Sequence, residues 1–350
     1  MGTVPSDLGE TSKAAPRVLL TGGAGYIGSH TAKALVARGL EPVILDALTT
    51  GAHKAARWGT FIHGDIGDRA LVRPVLREHP VDGVIHFAAS AYVGESVAHP
   101  RKYFHNNVAN MLALLDELLD AGVTQVVFSS SCATYGVPDT VTITEDHPQR
   151  PVNPYGESKL FGERMPATYR HAYGLRWVAL RYFNAAGADP DGELGENHDP
   201  ETHLIPLVID AALGRRGPLE VYGTDYPTAD GTAVRDYIHV TDLADAHVRA
   251  LDYLQEGGVS LALNLAGKGA SVREVVAAVE AHAGRPVPVV ERDRRPGDPP
   301  VLIADPTRAR EVLGWQPAHS NLDEIVRTAW AWRTGTASAA TPGREEVRHG

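Results

Sequence analysis

The stretch VLLTGGAGYIGSH, residues 18–30, constrains this chain more than any other. It runs from a short apolar segment, through closely spaced glycines, into a helical pattern. The glycines read as Gly23-x-Gly25-x-x-Gly28 or equally as Gly22-x-x-Gly25-x-x-Gly28. A glycine pattern alone is weak. Between a strand and a helix it is strong, because the free N–H groups and dipole of the helix start attract a pyrophosphate. Asp46 follows Gly28 by 18 residues, at the end of the next apolar run, PVILD. An acid there accepts hydrogen bonds from an adenosine ribose. It also repels a 2′-phosphate, which favours NAD over NADP. A tight turn without a ligand would explain the glycines but not the acid. In GDIGD, residues 64–68, Asp65 reads either as an adenine-side group or as a solvated turn acid.

The surrounding pattern gives the fold class. RVLLT (17–21), PVILD (42–46), GVIHFAA (83–89), QVVFSSS (125–131) and RWVALRYFN (176–184) read as buried strands, with FIHGD (61–65) weaker. Continuous apolar strands suit a parallel sheet covered on both faces. Helical patterns alternate with them: one closed by Gly39, one over about 100–120, one starting at Tyr155. This is α/β: a Rossmann-type doubly wound parallel sheet with right-handed crossovers. After Asn184 the texture changes. Residues 187–203 read as a loop, and shorter elements follow: helices near 204–214, 241–255, 271–283 and 321–332, and a strand at LEVYG. They form a smaller α+β C-terminal domain. The expected division is a disordered arm over 1–16, an NAD-binding domain over 17–184, a substrate domain over 185–333 and a disordered tail over 334–350.

Composition excludes several classes. With 350 residues and a formal net charge of −10, the chain is a poor partner for nucleic acid or an anionic membrane. No apolar run approaches the roughly 18 residues that a membrane span needs. Cys132 is the only cysteine, so no disulfide framework and no cysteine metal site arises, and a cytoplasmic enzyme is expected. The 16 histidines are scattered without an HExxH pair, so no metal site is expected.

Chemistry enters with NPYGESKLFGERMP, residues 153–166. Tyr155 and Lys159 stand one helical turn apart on one face. A free phenol has a pKa near 10 and is a poor base, and burial makes it poorer. A nearby ammonium and a cationic nicotinamide ring act in the opposite direction. FSSSCATYG (128–136) adds hydroxyls at a strand end, where such sheets bind ligands. Ser131 is the best placed to donate to a developing carbonyl oxygen, and a backbone-capping role is its plain alternative. Pro166 sits inside the same helical pattern. It removes an amide and crowds the carbonyl of Gly162, which predicts a kink near 162–166 that spares Tyr155 and Lys159.

Together these residues resemble the extended short-chain dehydrogenase/reductase family, and within it the UDP-hexose epimerases, over about Arg17 to Trp332. TGGAGYIGSH, VIHFAA, VGESV, FSSSCATYG, NPYGESKL, LRYFNAAGA and TDYPTADGTAVRDYIHVTDLADAH carry the likeness. The resemblance implies an NAD-dependent enzyme that interconverts UDP-glucose and UDP-galactose by transient oxidation at C4 of the sugar. It implies Ser131, Tyr155 and Lys159 as the catalytic trio. It places Gly22, Gly25, Tyr26, Ile27, Gly28, Asp46, Ala47, Thr49, Thr50, Asp65, Ile66, Phe87, Ala88, Ala89, Asn106, Ser129, Tyr182 and Phe183, with Tyr155 and Lys159, around NAD. It places Asn184, His203, Leu204, Tyr222, Arg235, Arg295, Asp298 and Leu302, with Ser131 and Tyr155, around the UDP-sugar. For Arg235 and Arg295 there is independent support, since guanidinium groups hold a pyrophosphate with paired hydrogen bonds. The resemblance further implies a homodimer through the helices near 100–120 and 155–173, and part of 236–265 packing back on the first domain.

Two departures stand out. Ala91 occupies a position where many members have a lysine near the NAD phosphates. Leu302 aligns with a position that limits sugar size, which leaves N-acetylated UDP-sugars partly acceptable. UDP-pentose and UDP-uronate epimerases stay open as alternatives. A 4,6-dehydratase is disfavoured by Cys132 and Ala133, which stand where such enzymes have an Asp-Glu pair. A non-catalytic NAD sensor is disfavoured by the intact trio.

Overall fold

Runs of valine, leucine and isoleucine that are apolar on both sides need cover on both faces, and the computed structural model, which describes residues 15–295 and 298–336, supplies it. The strands are β1 (Arg17–Thr21), β2 (Glu41–Asp46), β3 (Thr60–His63), β4 (Gly83–His86), β5 (Gln125–Ser129), β6 (Thr142–Ile143), β7 (Arg176–Arg181), β8 (Asn184–Ala186), β9 (Leu219–Tyr222), β10 (Val234–His239), β11 (Leu261–Asn264), β12 (Lys268–Ser271), β13 (Val289–Arg292) and β14 (Val301–Ala304). The helices are α1 (Tyr26–Ala37), α2 (Arg69–Glu78), α3 (Val93–Ala98), α4 (Pro100–Phe104), α5 (Asn110–Asp120), α6 (Pro154–Tyr173), α7 (Leu204–Ala212), α8 (Val240–Gln255), α9 (Val272–Ala283), α10 (Thr307–Leu313) and α11 (Leu322–Thr334).

A seven-stranded sheet in the order β11-β7-β5-β4-β1-β2-β3 is parallel throughout. Its order reverses between β1 and β4, and a crevice opens there at the strands' C-terminal ends. On one face, Leu35 of α1 and Leu243 and Leu251 of α8 join the core with Leu20 and Ile44. On the other, Val72 of α2 and Leu114 and Leu118 of α5 pack on Leu19, Val43 and Val126. So α8 and β11, which come late in the chain, belong physically to the first half. A second sheet runs β12-β10-β14-β6, with β8 also paired to β10. Helices α7, α9 and α11 share a core with it through Ile209, Val275, Ile325 and Tyr237.

Local chemistry sets several boundaries. Asn153 caps α6, its Oδ1 accepting from the Gly156 amide at 2.8 Å, and Pro154 holds the first helical position. Ser271 and Glu274 form a reciprocal capping box on α9.

The structure differs from the sequence reading in places. The run 176–184 is not one strand: β7 stops at Arg181 and β8 begins at Asn184, in another sheet. The runs 83–89 and 125–131 end as strands at His86 and Ser129. Helices α2, α3 and α10 were not foreseen: α3 and α10 are short, whereas α2 has an amphipathic pattern, with Val72, Val75 and Leu76 buried and Asp68 as its cap, that the sequence reading passed over. The helix over 100–120 contains a π turn at His105–Ala109. The arm over 1–16 and the tail over 334–350 lie almost wholly outside the described residues; of the tail, Thr334 ends α11. Among the described residues no helix is long and apolar enough to cross a membrane.

Helix α6 continues through Pro166 to Tyr173. Gly162 has a reason unrelated to bending. A Cβ there would lie 2.4 Å from the Phe128 ring, so the glycine lets the helix settle on β5.

Candidate functional site

The glycine loop sits at the crevice where the strand order reverses. Gly22 has φ of +71°, and a Cβ on it would lie 2.6 Å from the Ala88 amide nitrogen. A Cβ on Gly28 would lie 2.3 Å from the Gly22 carbonyl oxygen. Both positions therefore admit only glycine without displacement of backbone. Gly25 starts α1 without a side-chain cap, so the first N–H groups of the helix stay open, and Tyr26 and Ile27 supply two of them. Tyr26 itself is anchored elsewhere, its hydroxyl donating to Gly187 at 2.7 Å.

Asp46 ends β2 beside this loop and is 8% exposed. Its carboxylate accepts from the Ala24 amide at 2.9 Å and the Leu48 amide at 2.7 Å. Leu48 adopts φ of +55°, an uncommon conformation for a branched side chain, in making that contact. Ala47, Thr49 and Thr50 follow on the same rim. A carboxylate so oriented keeps lone pairs for ribose hydroxyls. Asp65 accepts from Gly67 and from Asn110 of α5, at 2.7 and 2.9 Å, through the same oxygen, while Ile66 beside it is buried. Phe87, Ala88 and Ala89 follow β4, with the amides of Phe87 and Ala88 bonded to Thr21. Asn106 lies in the π turn, a feature frequent at functional sites. These groups fit a dinucleotide: an anion cradle of backbone N–H groups, then an acid for a ribose.

The trio comes together at the ends of β5 and α6. Ser131 is 7% exposed and its Oγ accepts from the Ala133 amide at 3.1 Å. The capping reading is thus correct, and it leaves the hydroxyl proton free to donate. Tyr155 faces Ser131. Burial raises the Tyr155 pKa, and the Ser131 hydrogen bond opposes this. Lys159 is 4% exposed. Its Nζ donates to the Ser129 carbonyl at 2.7 Å and lies 5.9 Å from the centre of the Tyr155 ring. Burial lowers the Lys159 pKa to about 8, with the charge of Glu163 opposing. Within the protein alone, desolvation therefore outweighs the Ser131 hydrogen bond, and the protein by itself does not give the lowered phenol pKa expected beside Lys159. Tyr182 donates or accepts at 2.5 Å with Ser129, and Phe183 packs near Cys132 with Leu302.

The remaining residues assemble from distant segments. Asn184, His203 and Leu204 line one cavity with Glu196 and Tyr237. Asn184 also donates to the Asp236 carbonyl at 2.8 Å. On β10 and β14, Arg235 pairs in register with Leu302. Arg235 is ion-paired with Asp298, and the Arg295 guanidinium lies 4.0 Å from the centre of the Tyr222 ring. So two arginines, an acid and a tyrosine meet, although up to 76 residues separate them. Ala91 is exposed in the segment before α3.

Sequence reading missed four polar residues. Asn107 is 4% exposed and ties Ser90 to Ser158 of α6. The repeated asparagine in HNNVAN was its only signal. Glu163 and Arg181 form a buried ion pair, at 2.6 Å, directly beneath Lys159. Glu196 lies between two histidines, and its signal was the spacing in ENHDPETH.

Comparison with known proteins agrees with this arrangement. The model of the NAD dependent epimerase/dehydratase family matches residues 18–266. A UDP-glucose 4-epimerase of Rhizobium meliloti (strain 1021) is 52% identical over 318 residues, covering 91% of this chain and 97% of the relative. The crystal structure of UDP-glucose 4-epimerase from Brucella ovis in complex with NAD is 57% identical, with a TM-score of 0.89, over 90% of this chain and 98% of that one. The Bifidobacterium longum UDP-glucose 4-epimerase in complex with NAD+ and UDP is 39% identical, with a TM-score of 0.86, over 92% and 99%. From its glycine loop through its Ser-Tyr-Lys cluster, the chain belongs to the NAD dependent epimerase/dehydratase family.

Proposed function

We propose that this protein interconverts UDP-glucose and UDP-galactose by transient oxidation at C4 of the sugar, with NAD as a resident cofactor. The observation that carries this is the meeting of Ser131, Tyr155 and Lys159 beside the glycine loop, with Arg235 and Arg295 gathered on the far side. NAD, when bound, supplies the hydride acceptor and donor and a cationic ring beside Tyr155. Tyr155 takes the proton of the 4-hydroxyl and later returns it. Ser131 donates to the same oxygen as it becomes a carbonyl. Lys159, held by Ser129, supplies positive charge below the phenol. Arg235 and Arg295 hold the diphosphate while the sugar turns to present its other face.

Within this reading residues 17–184 are the cofactor domain, with part of 236–265 packed back on it, and 185–333 the substrate domain. The site residues named from the sequence keep their roles. The enzyme works in the cytoplasm, a reading supported by one free, buried cysteine. It acts as a homodimer through α4 to α6, where Phe104, Leu112 and Phe161 are exposed apolar groups on mutually packed helices.

The test incubates the purified protein with UDP-galactose and no added hydride acceptor, followed by nucleotide-sugar chromatography. UDP-glucose should accumulate to equilibrium. Unchanged UDP-galactose from folded, NAD-containing protein would overturn the reading.

A further inference from the structure

The loop between β8 and α7 places four chemically active side chains in eight residues, as Glu196-x-His198-x-x-Glu201-x-His203. One ligating atom from each lies within 4.8 Å of the others. Glu196 is the centre, its side chain 6% exposed. Its Oε1 meets Nδ1 of His198 at 2.9 Å and Nδ1 of His203 as well. The two rings stand edge to face, with centres 5.3 Å apart.

Counting protons decides what His203 can do. A carboxylate only accepts, so Nδ1 of His203 must carry the hydrogen. A neutral imidazole has a single N–H. With that hydrogen committed to Glu196, the neutral ring has a bare lone pair at Nε2, which repels a phosphate oxygen. Only the charged ring has a second N–H to offer. Among the described residues no protein group takes Nε2 of His203, and His203 lines the cavity shared with Asn184 and Leu204.

We propose that Glu196 is a positioning residue: by holding the proton on Nδ1, it makes His203 a donor to the substrate diphosphate only when the ring is charged. This rests on the epimerase reading above. The neighbours favour that charge. Burial is the largest single influence and lowers the pKa of His203, but the hydrogen bond and charge of Glu196 and the charge of Glu201 together raise it above its ordinary value. Glu201 accepts from the amides of Thr202 and His203, and Arg333 of α11 lies 3.6 Å from it. The phenols of Tyr26, from α1, and Tyr92, before α3, face the same cluster, and their own pKa values are raised. Tyr237 of β10 closes the cavity.

Two histidines and two carboxylates would also suit a divalent transition cation. The internal bonds favour the proton account. One oxygen of Glu196 is shared by two ring N–H groups, and one oxygen of Glu201 takes two backbone amides, so both carboxylates are already engaged by donors of the protein.

The charged state exists below the raised pKa and is lost as pH rises through it. UDP-sugar affinity should therefore fall with rising pH, and the fall is read from binding, since kcat also follows the titration of Tyr155 and Lys159. The test measures UDP-glucose binding to the holoenzyme by calorimetry, and KM and kcat for UDP-galactose, from pH 5.5 to 9. The diphosphate of a nucleotide sugar has no proton titrating in that range, and the uracil imide, which begins to ionise only at its alkaline end, affects wild type and variants alike, so a difference between them reports the protein. Wild-type affinity should fall about ten- to a hundredfold, the value of a hydrogen bond to a charged group. In Glu196→Gln the fall should move to lower pH. In His203→Asn, whose amide donates at any pH, affinity should be flat, and this variant serves if Glu196→Gln fails to fold. A flat wild-type profile, or a wild-type break retained in His203→Asn, would overturn the proposal. So would affinity lost to EDTA and restored by Zn2+ alone, which would make the quartet a metal centre. Protein that binds UDP-glucose with the expected profile but does not epimerise would sink the functional reading and leave this one standing.

Discussion

The two ends of the active cleft are built on different principles. The cofactor end is made of backbone. Gly22 and Gly28 are glycines because a Cβ on either would meet main-chain atoms at 2.6 and 2.3 Å. The substrate end is made of side chains, delivered by β8, β9, β10, β14 and the loops between them. Arg235 and Asp298 are 63 residues apart, and Arg295 rests on Tyr222 from 73 residues away. A backbone site writes itself into consecutive residues, since sterics act locally. A side-chain site leaves no local trace, since each member is an ordinary arginine or tyrosine until the fold collects it.

The variant with the largest expected effect lies where the two ends meet. Tyr155→Phe removes the proton acceptor and keeps the ring. Its kcat should fall about 10³-fold, within the usual contribution of a positioned acid or base. UDP binding by calorimetry should change by less than about twofold, because the phenol serves the 4-hydroxyl of the sugar and not the diphosphate. Full activity in this variant would break the assignment.

Gly28→Ala tests the backbone end. Its Cβ would press on the Gly22 carbonyl, and backbone has nowhere to rotate away. Overpacking of this kind costs about 1–3 kcal/mol, and the loop must also open against its cofactor. Purified variant should carry little NAD by absorbance and melt several degrees lower. Normal NAD content would show that the loop tolerates what its geometry forbids.

Leu302→Gly tests the side-chain end. Leu302 packs with Phe183 against the cluster that contains Cys132, next to Ser131, so it borders the space near the sugar. Removing it should raise kcat/KM for UDP-N-acetylgalactosamine relative to UDP-galactose by about tenfold, the usual worth of a small change in an apolar pocket. Equal rejection of the N-acetylated sugar by both proteins, each active on UDP-galactose, would remove Leu302 from the account of specificity.

What the sequence disclosed follows the same division. The strands of the first half, the glycine loop, Asp46 and the turn that joins Tyr155 to Lys159 all come from short-range periodicity and spacing. The placement of Asn184, His203 and Asp298 came only from resemblance, as no spacing ties them together. Glu163 and Arg181 were invisible for a related reason. A buried ion pair between α6 and β7 looks, residue by residue, like two surface charges. The break of one apolar run into β7 and β8 was also hidden, since both pieces are buried and only tertiary pairing separates them.

Pro166 supplies the smallest and sharpest test, because it is a locally conspicuous residue with no evident share in the site. It costs α6 the bond from its own amide to the carbonyl of Gly162, and an interior proline disfavours a helix by about 3 kcal/mol. Against this, Pro166 is buried, and Ala in its place would withdraw two ring methylenes worth about 0.8 kcal/mol each. The unfolded chain would also gain freedom worth about 0.4–1 kcal/mol. The opposing effects leave Pro166→Ala more stable by under about 1 kcal/mol. The first turn of α6, set by Asn153 and Pro154, lies upstream of the broken bond, so kcat should stay within about twofold of wild type. Thermal melting and steady-state kinetics on this one variant separate the two halves of the helix. A larger change in kcat would mean that a bend at 162–166 sets the angle at which Tyr155 and Lys159 meet the strand ends.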